Sequence, residues 1–367
     1  MEAANTSPAP SLFDHVRVGD LDLPNRLVMA PLTRLRSGAD GVPGDLVAEY
    51  YRQRAGLGLI VTEGTYPSHE GRAYAGQPGI VTDEQTAAWG RVAEAVHGAG
   101  GRLFMQVMHG GRVSHPVITG TERIVAPSAV AIEGEVHTPE GKLPYPVPHA
   151  LSTEEARTVV QEFVTASRRA VDAGLDGVEI HGANGYLLHE FLSPAANRRT
   201  DEFGGSPQAR AGYVAEVVRA VVAELGAGRV GLRISPAHNI QDCLETDAQE
   251  TAETYRALVE AIAPLGLAYL SVLHADPTAE LVGDLRTRFG GPFLLNSGFG
   301  SVTRREDAQS LVRAGLADAV VVGRPVIANP DLAHRWANDL PENEPDASTF
   351  YGGGAEGYTD YPALRAS

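Results

Sequence analysis

The sequence predicts an α/β fold, a single (β/α)8 TIM barrel, on three observations. Short apolar runs rich in Val, Ile and Leu recur eight times, at residues 26–30, 58–62, 103–108, 177–180, 230–234, 268–273, 293–296 and 319–322. Segments with helical periodicity lie between them. The 367 residues suit one such barrel with insertions. Near-continuous apolar strands fit a parallel sheet buried on both faces, and alternation with helices fits right-handed crossovers closing on themselves.

Taken in order, residues 1–15 are rich in Pro, Ser and Ala and are expected to be mobile. Residues 16–23 alternate apolar and polar, the pattern of a small hairpin closing the barrel bottom. The helix over 84–99 places Trp89, Val92 and Val96 on one face. The helix over 153–173 opens with the capping pattern Ser152-Thr153-Glu154-Glu155, whose acids also suit the helix dipole, and ends at Gly174. Further helices are expected over 207–225, 248–263, 304–314 (capped by Thr303 with Glu306) and 331–336. Two segments break the rhythm. Residues 110–151 are too long for an ordinary loop and are expected to form a hairpin lid over the barrel mouth. Residues 341–367, with their Gly- and Tyr-rich stretch, are expected to fold back over the same mouth. No linker interrupts the chain, so residues 1–367 are expected to make one domain.

Composition narrows the function. A hydrophobic content of 43% with 41 Gly and 24 Pro describes a globular enzyme with many turns. A formal net charge of −16 disfavours nucleic acid and anionic membranes, both polyanions. The lone Cys243 cannot build a disulfide framework, a zinc-thiolate site or an iron–sulfur cluster; it is expected to be a partly buried thiol with no role. The first residues lack a secretory pattern, and no apolar run approaches the ~20 residues of a membrane span. A cytoplasmic location is expected, with a monomer or homodimer both open. His97, His115, His137 and His334 are expected at the surface. The high Ala, Gly and Arg content hints at a bacterial source.

The C-terminal ends of barrel strands carry active sites. The fourth strand ends with His181, Asn184 and Tyr186, interleaved with Gly182 and Gly185. Two hydrogen-bond donors and a phenol converging there would bind a carbonyl oxygen and deliver a proton. The other ends offer Pro31, Leu32, Thr33, Glu63, Gly64, Gln106, His109, Arg233, His274 and Asp276. Ser297 to Ser301 follow the seventh strand and Gly323-Arg324 the eighth, where such barrels bind phosphate. Hydrogen-bonding groups without a carboxylate cluster suit a phosphorylated, flat, polar-edged cofactor. A metal site at His109, His181 and His274 is the competing idea. The first strand lacks His-x-His and the eighth lacks Asp, which disfavours that hydrolase pattern.

Five separated motifs carry a resemblance: Pro31-Leu-Thr-Arg34; Gln106 with His109-Gly-Gly-Arg112; His181-Gly-Ala-Asn184-Gly-Tyr186; Gly323-Arg324-Pro with Ala328-Asn-Pro-Asp331; and Phe350-Tyr-Gly-Gly-Gly-Ala-Glu-Gly-Tyr358. Over about residues 11–362 the chain resembles the old yellow enzyme family of FMN-dependent ene-reductases. It lies nearest the bacterial branch that includes pentaerythritol tetranitrate reductase and N-ethylmaleimide reductase.

The resemblance implies non-covalent FMN, with NADPH or NADH as reductant and an activated alkene or enone as substrate. It implies that Thr33 bonds and tunes the flavin, that backbone at Pro31, Leu32 and Gly64 touches its edge, and that Gln106 meets its pyrimidine. Arg233 would balance charge on the reduced ring, and Ser297, Gly298, Gly300, Gly323 and Arg324 would hold its phosphate. His181 and Asn184 would polarise the substrate while Tyr186 gives the proton, opposite the face that receives hydride. Tyr74, Met108, Gln241 and Tyr351 would line the substrate pocket, Tyr351 near the cofactor as well. Met108 stands where many relatives have Trp, which should reshape the pocket. An FMN barrel performing a biosynthetic isomerisation or oxidation stays open as the alternative.

Overall fold

The computed structural model of the chain describes residues 9–364. Eight parallel strands close into a barrel as predicted: β1 (Leu27–Met29), β2 (Leu59–Val61), β3 (Leu103–Val107), β4 (Gly177–Gly182), β5 (Val230–Ile234), β6 (Tyr269–Leu273), β7 (Phe293–Asn296) and β8 (Ala319–Val322). Around them stand α1 (Asp45–Gln53), α2 (Asp83–Gly98), α3 (Thr153–Asp172), α4 (Pro207–Leu225), α5 (Ala248–Ile262), α6 (Glu280–Phe289), α7 (Arg305–Arg313) and α8 (Leu332–Ala337). Helices α1 and α6 were not singled out in the sequence. The cap of α7 is also one residue later than expected, with Arg304 at the cap position and Asp307 answering it.

Strand periodicity sorts the side chains into two cores. Val178, Ile180, Leu232 and Val272 point outward under the helices. Val28, Val61, Phe104, Tyr269 and Leu294 point inward and fill the lower barrel. The hairpin Val16–Val18 with Leu21–Leu23 inserts Val18 and Leu23 into that inner cluster from below, closing the bottom as expected. Each fully buried apolar side chain contributes on the order of 1.5–3 kcal/mol.

The expectation of a mobile segment at 1–15 does not hold for its last part. Leu12 is fully buried, and its carbonyl accepts from the Arg26 amide at 2.7 Å. Residues 1–8 lie outside the described residues. Within the 110–151 excursion, Glu135–Thr138 and Gly141–Pro144 pair antiparallel, and His137 reaches the wall of the mouth.

The C-terminal tail is tied down by Arg34, which follows β1. Its guanidinium donates to the carbonyls of Phe350 and Gly357 at 2.8 Å each and to the Tyr50 hydroxyl at 3.1 Å. Tyr358 stacks on Tyr50 with centroids 4.1 Å apart. Among the described residues no helix is long and apolar enough to cross a membrane.

Candidate active site

The upper barrel interior is polar by the same strand parity that makes the lower interior apolar. Gln106 on β3, Glu179 and His181 on β4, Arg233 on β5 and Ser271 on β6 all point inward. In register they are neighbours, Glu179 beside Gln106, His181 beside Arg233, and Arg233 beside Ser271. Glu179 accepts from Gln106 Nε2 at 2.7 Å and from the Tyr269 hydroxyl at 3.1 Å, which fixes the glutamine amide. Burial raises the Glu179 carboxyl, while the nearby Arg233 guanidinium pulls it down. Arg233 donates to Ser271 Oγ at 3.2 Å, and its Nε finds no partner.

Above this layer opens a cavity of about 890 Å3. Pro31, Leu32 and Thr33 form its β1 edge, and Gln106 and Met108 its β3 edge. His181, Asn184, Tyr186 and Arg233 form the wall between, with Gln241 beside them. Gly298, Gly323 and Arg324 form the opposite rim, and Tyr74 and Tyr351 stand over it. The structure thus gathers most of the predicted residues at one place.

Three predicted residues lie off the wall, each for a local reason. Gly64 is covered by Met108, whose Sδ would lie 2.5 Å from an added Cβ; its carbonyl accepts from Gln77 at 2.8 Å. The Ser297 hydroxyl is shared with Thr303 Oγ1 at 2.8 Å. Gly300 is exposed at the loop tip. Arg324 donates to the Phe299 carbonyl at 2.9 Å and also to that of Ser301, holding this loop against the rim.

The turn after β4 is built to aim its side chains. Asn184 takes a left-handed φ of 58°, its amide donating to Ser235 Oγ at 2.9 Å. Gly185 follows at φ 83°, and its amide donates to His189 Nδ1 at 2.8 Å. His189 Nε2 lies 3.2 Å from Glu245 Oε1, which also accepts from the Tyr255 hydroxyl at 2.9 Å. Ser235, His189, Glu245 and Tyr255, all buried, therefore hold the site turn from behind. The sequence reading missed them. Of the four, only Ser235 and His189 stand close behind strand ends, where their placement could have signalled them.

Charge in the site follows burial. His181 is held well below the usual histidine range by burial, then by Arg233 and His189, so its imidazole is neutral at pH 7. Burial raises the Tyr186 phenol, and hydrogen bonds from Tyr74 and Gln241 act against that rise. His181 and Tyr186 stand 5.2 Å apart between ring centroids.

The competing trio of histidines does not meet. His109 is sealed behind the wall, its Nδ1 accepting from the Gly111 amide, and His274 turns to the Asp276 carbonyl. Among the described residues no three His, Cys, Asp or Glu side chains converge on a metal position. Cys243 is fully buried, further in than expected.

The wall fits a flat, polar-edged group. Four buried polar atoms on it lack any partner: His181 Nδ1, Asn184 Oδ1, Arg233 Nε and Gln241 Oε1. Leaving such atoms unsatisfied is costly, so a ligand that pairs with them is favoured. A cation, neutral donors and the mixed-polarity Pro31–Thr33 edge match a flavin ring. The rim at Gly298 and Gly323, with Arg324 beside it, is where its phosphate would lie.

Comparison with known proteins gives the same answer. Residues 11–343 match the profile of the NADH:flavin oxidoreductase / NADH oxidase family. A probable flavin mononucleotide-dependent alkene reductase of Leishmania infantum is 41% identical over 95% of this chain and 96% of its own length. Among solved structures, the old yellow enzyme homologue from Zymomonas mobilis superposes with a TM-score of 0.92 at 38% identity, covering 97% of this chain and all of that one. Morphinone reductase in complex with tetrahydroNAD gives 0.90 at 42% identity over 97% and 98% of the two chains. The fold, the site and these relatives agree: the chain is a flavin oxidoreductase of the NADH:flavin oxidoreductase / NADH oxidase family, the old yellow enzyme group.

Proposed function

We propose that the protein reduces activated alkenes, such as α,β-unsaturated carbonyls, nitroalkenes and maleimides, with non-covalently bound FMN and a nicotinamide as reductant. The observation that supports this most is a single wall carrying the neutral His181, Asn184 and the Tyr186 phenol beside unpartnered atoms that await a ligand. FMN, when bound, supplies the hydride that it has taken from NADH or NADPH.

The chain's own residues do the rest. Gln106, Arg233 and the Thr33 edge hold and orient the ring. Arg233 is a fixed cation in a water-poor layer, so it favours negative charge on the reduced ring. Asn184 and the neutral His181 donate to the substrate carbonyl or nitro oxygen and draw electrons from the double bond. Tyr186 then transfers its proton to the α-carbon. One pocket serves both nicotinamide and alkene in turn, giving a ping-pong cycle. Met108 stands on the β3 edge, where a flexible thioether reshapes the pocket and shifts the range of substrates.

The test uses the visible spectrum. A yellow protein should be bleached by anaerobic NADH or NADPH and restored by 2-cyclohexenone. Tyr186→Phe should slow the restoring step far more than the bleaching. A colourless protein unable to take up FMN would sink the reading, as would equal effects on the two steps.

A further inference from the structure

We propose that Tyr74 is a positioning residue for proton transfer: its hydroxyl donates to the Tyr186 oxygen, so that the Tyr186 hydrogen faces the cavity and the oxygen is stabilised as that hydrogen leaves. The inference rests on the reading of Tyr186 as the acid. The two hydroxyl oxygens lie 2.9 Å apart, with the rings perpendicular and their centroids 6.4 Å apart. Both side chains line the cavity.

A phenol has one hydrogen. Were Tyr186 the donor in this pair, its hydrogen would be held between the rings and turned from any substrate. With Tyr74 as donor, Tyr186 presents its hydrogen to the cavity. Tyr74 is well placed for that role, because its backbone is pinned on both sides. Its amide donates to Gln77 Oε1 at 3.3 Å, and its carbonyl accepts from Arg72 Nε at 3.1 Å.

In the transfer the Tyr186 O–H bond breaks and a C–H bond forms at the substrate α-carbon. The electron pair stays on the Tyr186 oxygen, and solvent protonates it after product leaves. The hydride for the β-carbon is the one the nicotinamide supplied. As the Tyr186 oxygen becomes negative, the bond from Tyr74 changes from neutral to charge-assisted, about twice as strong. The interaction therefore strengthens along the reaction, which is the condition for lowering a barrier.

The experiment is a double-mutant cycle on the FMN-loaded enzyme, followed by anaerobic stopped-flow oxidation of the reduced flavin with saturating 2-cyclohexenone. Tyr74→Phe keeps the ring and removes only the hydroxyl. It should lower the limiting rate about tenfold, about 1.4 kcal/mol, and raise the solvent deuterium isotope effect on that rate. In a Tyr186→Phe background the same substitution should have no further effect, because the oxygen it serves is gone. The visible flavin spectrum and thermal midpoint of each variant report that it is folded and loaded. An equal loss in both backgrounds would mean that Tyr74 only shapes the pocket, and would overturn the proposal. So would an unchanged rate in the enzyme that keeps Tyr186. If Tyr186→Phe alone leaves oxidation unchanged, the acid reading itself falls, and that outcome is distinct from the other two.

Discussion

Replacing Gly185 by Ala tests how tightly the site turn is held. Gly185 sits between Asn184 and Tyr186 at φ 83°, a conformation that costs an L-residue on the order of 1–2 kcal/mol. An added Cβ would also lie 2.8 Å from Gln241 Cβ and 2.9 Å from the Ile240 carbonyl oxygen. Backbone and a Cβ cannot swing aside as a flexible side-chain end can, so overpacking adds roughly 1–3 kcal/mol. The combined loss of ~2–5 kcal/mol, with unfolding entropy of about 2.1 cal/mol/K per residue, corresponds to a fall of ~3–6 °C in Tm. Gly205→Ala is the internal control. Gly205 has the same left-handed backbone, φ 81°, but nothing within 4 Å of its added Cβ. It should lose only the conformational part, ~1–2 °C. Thermal unfolding of both FMN-loaded variants measures the difference. Gly185→Ala should also slow alkene-driven flavin oxidation about tenfold or more, because Gln241 and the Asn184 backbone it bonds must shift. Equal Tm values for the two variants would refute the steric argument.

Two further predictions concern buried charge. Arg34→Ala strips the tail of its guanidinium bonds and removes a nearby positive charge from buried Glu63, whose carboxylate keeps its bonds from the amides of residues 34 and 35. It should cost about 1.5–3 kcal/mol for each buried hydrogen bond lost from the guanidinium and expose residues 349–357 to limited proteolysis; an unchanged cleavage pattern would show that the tail is held elsewhere. Burial pushes the Glu190 carboxyl up to about 8, against the pull of Arg112. Its folded value lies above the unfolded value of 4.5, so the stability it contributes is full below about 4.5 and is lost as pH rises towards 8. Glu190→Gln should therefore gain on the parent protein, by on the order of a few kcal/mol, as pH is raised from about 5 to 9. A Tm difference that does not change with pH would contradict this.

Local signals accounted for the barrel and much of its mouth. The apolar runs at 293–296 and 319–322 match β7 and β8 residue for residue, and the cap at Ser152-Glu155 is present in α3. These are short-range patterns, in which periodicity and capping act over a few residues and need no partner from elsewhere. The motif residues His181, Asn184 and Tyr186 were likewise readable, because strand parity and a Gly-interleaved turn dictate that they share one wall.

What the chain alone did not show were the contacts between distant segments. Tyr74 and Tyr186 are 112 residues apart, yet their oxygens share a hydrogen bond. His189 and Glu245 hold the site turn from behind across 56 residues, and Arg34 reaches more than 300 residues to the tail. Neither partner of such a pair carries a local mark, since a buried Glu or His looks in sequence like any surface one. Likewise Gly64 and Ser297 stood at the right strand ends, but Met108 and Thr303 claimed them first. Sequence set the strand parity that gives this protein an apolar lower barrel and a polar upper one. The packing of the loops, helices and tail onto the closed barrel decided which polar groups pair with each other and which are left facing the cavity.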